Sequence, residues 1–538
     1  MRLREIRTAV EKSDLARAVA LAVEALSEGI ENPLLLNLRA YRHEQEGRFG
    51  EALTDLERAR QIAPDDALIN NSLGLCLVRF NRLGEARAAF QEAVRLKPDF
   101  TPAYFNLGWV SEDLGLLDEA RQAFLRVEQL DTVSADAPAR LALLAARMSD
   151  SDAARRHAAR AFALDPRHPL AHFALAFCEA EDGHLERAEM RLRQTLADGR
   201  TNPIQHAMTR GLLGDCLDAG DRLDEAFNAY MECNRELASL YAPQFGSSQK
   251  DSMLAHLSQI IDYFTTANAD TWNSKNRALP DSETIMGHVF VVGFPCSGKA
   301  LLEEVLAAHP YVRTTGDTDV LAAAVRQFLG SAEGMDRLSR LDWSDLRVFR
   351  EMYWRGLREG GLARDDKVLV DRQPDNSERL PLIAKLFPEA KILFTTRDPR
   401  DVVFSCFRSR SPMNRVNYEL LTLEGAARLY DRLARLIEVI RAKLAPTMLE
   451  IPYETLVRDF RNSAVALFRY IGLSPDDVAW DALERARCRA ISASCGVQIA
   501  RGLNLEGIGS WKRYASRMAP ALPHLQPWVN QFGAAENG

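Results

Sequence analysis

The sequence predicts an α-solenoid followed by an α/β domain built on a parallel sheet, and three observations predict it. A 34-residue period runs through the first half. A β-branched run, a glycine loop and a helical pattern follow one another after Pro280. Further strand-and-turn motifs come after them at domain-scale spacing. A chain of 538 residues has room for two or more domains. Its 47% hydrophobic and 27% charged content excludes wholesale disorder. No apolar run approaches the roughly 18 residues that a membrane span needs. Met1 to Ala18 mixes charges through its apolar positions, unlike a signal peptide. Eight cysteines without a CxxC pair read as reduced thiols, so a cytoplasmic protein is expected. The net charge, 68 − 75 = −7, argues against a nucleic-acid polymer as partner.

The repeat is visible in Ala52, Ala86, Ala120, Ala154 and Ala188, each 34 residues apart. Four residues after each stands Leu56, Phe90, Phe124, Ala158 or Leu192. Pro64, Pro98 and Pro166 lie where a second helix must stop, and Leu73-Gly74 and Leu107-Gly108 mark the first helix. Ala18 with Ala22 and Ala226 with Tyr230 extend the series to about seven units over residues 1–240. This order resembles the tetratricopeptide repeat (TPR). Each helix pair has an apolar face that only a neighbouring repeat can bury, and stacking leaves a concave groove. The resemblance implies a protein or peptide in that groove, with Asn71, Tyr104 and Asn106 facing it. Residues 241–284 read as a short helical connector and a loop, and 285–538 as the second domain.

His288 to Gly293 has the compact apolar pattern of a strand buried on both faces. Gly293-Phe-Pro295-Cys296-Ser297-Gly298-Lys299-Ala300 then leads into helical spacing from Leu301 to His309. A strand, a tight loop and a helix in that order turn backbone N–H groups and a helix N-terminus toward an anion. The loop departs from the nucleoside-triphosphate P-loop at Ala300, where a hydroxyl would hold Mg²⁺. Asp371, at the end of Val368-Leu-Val, keeps a P-loop kinase or NTPase open as an alternative. A donor whose chemistry needs no metal tolerates Ala300.

Three later motifs follow: Lys367 to Pro374, Lys391 to Asp401 with Ser405 in the next helix, and Gly507-Ile-Gly509-Ser-Trp511-Lys512. With the loop at 293–300 and Pro452-Tyr453-Glu454, they resemble sulfotransferases that use 3′-phosphoadenosine-5′-phosphosulfate (PAPS). The likeness is to bacterial TPR sulfotransferases and to tyrosylprotein sulfotransferases, over about 250 residues.

The resemblance implies a PAPS-dependent transferase, needing no metal, that acts on a hydroxyl or amine of a protein or other large acceptor. Pro295, Cys296, Ser297, Gly298, Lys299 and Ala300 would hold the 5′ end of the donor. Arg397 and Ser405 would hold its 3′-phosphate, where a guanidinium's planar fork suits two oxygens. Tyr453, Trp511 and Lys512 would line the nucleotide. Asp317, or else Asp319, would take the acceptor proton, although either also suits a helix cap. Arg372 stands where the tyrosine branch has a lysine beside the transferring group, and Ser494 resembles a serine that contacts it. Arg397 read alone would be a strand-end cation, and Trp511 a core filler.

The chain departs from the family in its loop and at one later position. The family's usual Pro-Arg-Ser-Gly-Thr-Thr is here Pro295-Cys296-Ser297-Gly298-Lys299-Ala300, with the cation moved three places. Ser409 stands where the tyrosine branch has a further phosphate-binding arginine, flanked by Arg408 and Arg410. Cys296 therefore leaves a third reading open: a nucleotide-binding TPR adaptor that has lost turnover.

Overall fold

A computed structural model describes residues 2–80, 82–246, 252–273, 286–316, 318–362, 366–478, 480 and 507–533. Its contacts divide the chain into two compact units, Met1–Cys178 and Glu179–Gly538.

In the first unit the helices run α1 (Arg2–Glu11), α2 (Leu15–Ser27), α3 (Pro33–Gln45), α4 (Phe49–Ile62) and α5 (Ala67–Arg79). They continue as α6 (Leu83–Leu96), α7 (Thr101–Asp113), α8 (Leu117–Leu130), α9 (Asp136–Arg147) and α10 (Ser151–Leu164). α11 (Pro169–Glu181) crosses the division. α4, α6 and α10 each end two residues before Pro64, Pro98 or Pro166, as the ring's clash with a continuing helix requires. The Ala-x3-bulky signature has a packing cause. A Cβ on Gly74 would lie 2.5 Å from the Phe90 ring, and one on Gly108 would lie 2.7 Å from Phe124. Each glycine thus receives the aromatic of its partner helix, and Ala52, Ala86 and Ala120 are fully buried beside them. Asn106 donates to Asn71 Oδ1 at 2.9 Å, so two of the expected groove residues hold each other.

The second unit begins with α12 (Leu185–Ala197), α13 (Pro203–Ala219) and α14 (Leu223–Tyr241). The repeat logic persists there: a Cβ on Gly214 would meet the Tyr230 ring at 2.6 Å. The packing unit therefore starts earlier than the change of composition near residue 241, because these last helices pack with the α/β elements. α15 (Met253–Thr266) and α16 (Ala269–Asn273) form the connector.

A five-stranded sheet follows, from β1 (Gly287–Gly293), β2 (Val312–Thr314), β3 (Val368–Asp371), β4 (Lys391–Thr396) and β5 (Met448–Pro452). Every pairing is parallel, in the order β2-β3-β1-β4-β5. On one face Val289 and Val291 pack on Leu301, Leu302 and Val305 of α17 (Lys299–Ala307) and on Phe468. On the other, His288 and Phe290 meet the rings of Tyr353 and Phe387. Burial on both faces explains why β1 reads as a continuous apolar run and not an alternating one. The chain leaves β1 toward β2 and β3 on one side and crosses to β4 and β5 on the other. That switch opens a crevice at the carboxyl end of β1.

Candidate active site

Four strand ends bring the sequence motifs to this crevice. After β1 the chain turns on itself with φ at +151° for Gly293, +61° for Cys296 and +103° for Gly298. A side chain on Gly293 would run into Thr395 Oγ1, and one on Gly298 would come within 2.6 Å of the Tyr453 ring. Ser297 is buried, and its hydroxyl lies 2.6 Å from Phe294 O and 2.7 Å from Thr395 Oγ1. Ser297 donates to the Phe294 carbonyl, and the one Thr395 hydroxyl proton is shared between Ser297 Oγ and Val292 O, the latter at 3.3 Å. The Ser297 side chain is therefore spent on holding the loop's shape. No side chain caps the first turn of α17, so its N–H groups and the positive end of its dipole face the loop. Lys299 reaches across to the β3 loop and donates to Pro374 O at 2.9 Å.

At the end of β4, Arg397 is buried, donating to Cys296 O at 3.0 Å and to Gly507 O at 2.6 Å. Its guanidinium lies 4.7 Å over the Tyr453 ring, a cation–π contact. Pro399 opens α22 (Pro399–Arg408), with Asp398 as its cap. Arg400 pairs with Asp398 at 2.7 Å and covers Trp511 at 4.1 Å. Asp401, fully buried in the first turn of α22, accepts from Gly509 N at 2.6 Å, Ser510 Oγ at 3.0 Å and Trp511 N at 3.0 Å. Ser405 follows Asp401 by one helical turn, buried on the same stripe, and Lys512 is exposed. The structure thus gathers the loop at 295–300, Arg397, Tyr453 and the 507–511 turn. Asp401 was not singled out in the sequence; its one signal there was an acidic residue in the first turn after Asp-Pro.

The β3 side is tied up by ion pairs. Arg372 Nε lies 2.5 Å from Glu303 Oε2 on α17, so its charge is shared with a carboxylate that the sequence had not marked. Asp319 accepts two bonds from Arg379, at 2.7 and 2.9 Å. Beside this pair, burial pushes the Glu378 carboxyl up to about 8, with Asp375 adding repulsion. Asp371 is buried and accepts from Tyr353 Oη at 2.8 Å, Asn376 Nδ2 at 2.9 Å and Gln373 N at 3.1 Å. Those donors tie its side chain into the β3 turn, while burial raises its pKa. Asp317 and Ser494 lie outside the described residues.

The sequence of this region has a counterpart among known families. Residues 288–477 match the sulfotransferase family. This stretch of the chain is a sulfotransferase-family domain. Tetratricopeptide repeats match residues 3–67, 37–100, 71–135 and 140–203. An uncharacterized protein of Aquifex aeolicus (strain VF5) is 21% identical over 65% of this chain and 45% of its own length. A putative protein-tyrosine sulfotransferase of Caenorhabditis briggsae is 30% identical over 23% of this chain and 44% of its own. Protein-tyrosine sulfotransferase 1 of Danio rerio is 24% identical over 44% of this chain and 73% of its own. The chain spans less than half the length of the first two of these relatives. Within the sulfotransferase domain, the altered loop residue Cys296 contributes its carbonyl to Arg397, while Lys299 extends toward β3. Among the described residues, no helix is long and apolar enough to cross a membrane.

Proposed function

We propose that the chain is a PAPS-dependent sulfotransferase, acting on a hydroxyl or amine of a protein or other large acceptor that the repeats recruit. One observation carries this reading: Arg397 joins the β1 loop to the 507–511 turn at the carboxyl edge of the sheet. The donor has two anionic ends, and the residues at this edge fit it. The uncapped start of α17 and Lys299 suit the 5′-phosphosulfate, and Arg397 with Ser405 suits the 3′-phosphate. Tyr453, Trp511 and Lys512 suit the nucleotide between them. Bound there, PAPS supplies the sulfuryl group.

The chain's own residues supply the rest. Backbone N–H groups at the start of α17 and the Lys299 ammonium stabilise negative charge at the phosphosulfate end. Arg372, shared with Glu303, orders the β3 loop next to Lys299. Asp317 takes the acceptor proton, Asp319 being the second choice because Arg379 holds both its oxygens. Ser494 contacts the transferring group, and a cytoplasmic location belongs to the same proposal.

The test is calorimetry with 3′,5′-adenosine bisphosphate, followed by labelled-sulfate transfer from PAPS in a lysate. Bisphosphate binding and a labelled macromolecule are expected. No bisphosphate binding, alongside tight ATP–Mg²⁺ binding, overturns the proposal. Cys296 favours one second reading, a donor-binding adaptor without turnover. That reading predicts bisphosphate binding with no labelled product, and activity gained on Cys296→Arg.

A further inference from the structure

The carboxyl end of α13 meets the sulfotransferase domain at two carboxylates, Asp215 and Asp218, and the second gathers more donors. Asp218 accepts from Arg408 at 3.2 Å, from Arg513 at 2.7 Å and from the Tyr514 hydroxyl at 2.6 Å. Its backbone carbonyl takes a further bond from Arg513 at 2.9 Å. Arg408 closes α22, which carries Ser405, whereas Arg513 and Tyr514 follow directly on Trp511 and Lys512. A single repeat residue therefore touches both segments assigned to the nucleotide end of the donor, with Asp221 and Asp224 adding bonds to Arg513 and Arg517 at 3.0 and 2.9 Å.

The surroundings are built for this junction. The Tyr514 ring stacks on Phe404 of α22 at 4.4 Å and lies 6.2 Å from Phe227 of α14. Asn234 of α14 donates to the carbonyl of Phe407 at 2.7 Å. Arg410 is paired with Asp215, and its stem passes over Gly211, where any Cβ would collide with it. Arg408 and Arg410, which flank the arginine position that Ser409 leaves empty of charge, are thus both engaged by carboxylates of α13.

We infer that Asp218 is a positioning residue for donor binding: it clamps the 510–517 turn against α22 so that Trp511, Lys512 and Ser405 face one nucleotide. This rests on the PAPS reading of the site. The carboxylate does so by accepting three side-chain donors in one partly buried place, with Asp221 taking a further bond from Arg513 at 3.0 Å.

The experiment compares full-length wild type with Asp218→Asn and with Tyr514→Phe, which keeps the ring and removes only the hydroxyl bond. Hydrogen exchange over residues 507–517 and affinity for 3′,5′-adenosine bisphosphate are measured on each. Both variants are expected to exchange faster in that segment. Affinity should fall about 10-fold or more for Asp218→Asn and about 3-fold for Tyr514→Phe. The KM for PAPS should rise accordingly, while the acceptor KM stays within about twofold. Asp218→Glu should recover part of the affinity. Unchanged affinity in both variants, with wild type binding, overturns the positioning role alone. Failure of wild type to bind the bisphosphate overturns the donor reading and this role with it, even where the exchange change persists. Should Asp218→Asn fail to fold, Tyr514→Phe decides.

Discussion

Arg397 donates to the carbonyl oxygen of Cys296 at 3.0 Å, so the cation at the end of β4 braces the loop that follows β1. Its second bond, to Gly507, and its place over Tyr453 make it the hub of the crevice. Arg397→Lys keeps the charge but loses the fork and the flat face. Affinity for 3′,5′-adenosine bisphosphate is expected to drop about 10- to 100-fold, read by calorimetry. Wild-type affinity in this variant sinks the assignment.

Lys299 is the first residue of α17, partly exposed, and donates to Pro374 O, so its removal should affect folding little. For Lys299→Ala, a melting shift within about 2 °C is expected. Labelled-sulfate transfer should fall about 100-fold if the moved cation serves the phosphosulfate. A variant as fast as wild type shows that the relocated charge does no chemistry.

Gly298 combines φ at +103° with the Tyr453 ring in van der Waals range of its Cα side. Gly298→Ala therefore meets both backbone strain and a clash. A loss of about 1–3 kcal/mol in urea unfolding is expected. Adding Tyr453→Ala relieves the clash but not the backbone, so the double variant should show non-additivity. Simple additivity would mean that the ring yields freely.

His288 lies inside the sheet, bonded at 2.9 Å to Tyr353 Oη, which in turn donates to Asp371. The Tyr353 proton is committed, so the imidazole donates through Nε2 and stays neutral. Burial pushes its pKa from 6.5 down to about 3. The unfolded chain takes up the proton first, so this contribution to stability is complete above pH 6.5 and drains away as the pH falls toward 3. The slope is about 1.4 kcal/mol per pH unit. His288→Gln should flatten unfolding free energy against pH by one proton between about pH 6 and 4. A wild-type slope retained in the variant assigns the acid sensitivity elsewhere.

The elements most legible in the sequence were those whose physics is local. The 34-residue period fixed the helices, because Gly74 must receive Phe90 and Gly108 must receive Phe124. β1, β3 and β4 stood out because strands buried on both faces write unbroken apolar runs. β2 and β5 did not: Val312–Thr314 is three residues long with a charge in the middle, and Met448–Pro452 carries Glu450 on a sheet edge. Within the site, the motif residues came together as spaced, yet their partners did not show. Glu303 against Arg372, Arg379 against Asp319 and Asp401 against Gly509 are pairings across 60 to 108 positions or between elements, which no local pattern encodes. Asp215 and Asp218 lie in a repeat helix and carry no sequence signal of their own. Their importance comes from the donors that distant parts of the chain present to them, Arg410 to Asp215 and Arg408, Arg513 and Tyr514 to Asp218.

The bond between Asp218 and Tyr514 spans 296 positions, and that distance is also a delay. A ribosome adding about 5–20 residues each second needs about 15–60 s to travel from one to the other. During that time the repeats are folded and the central strands can pair, while the clamp still lacks one jaw. On the PAPS reading, the nucleotide end of the site is therefore completed only after the five strands of the sheet have been made. On that reading, a chain still being made has its repeats in place well before its donor site is closed.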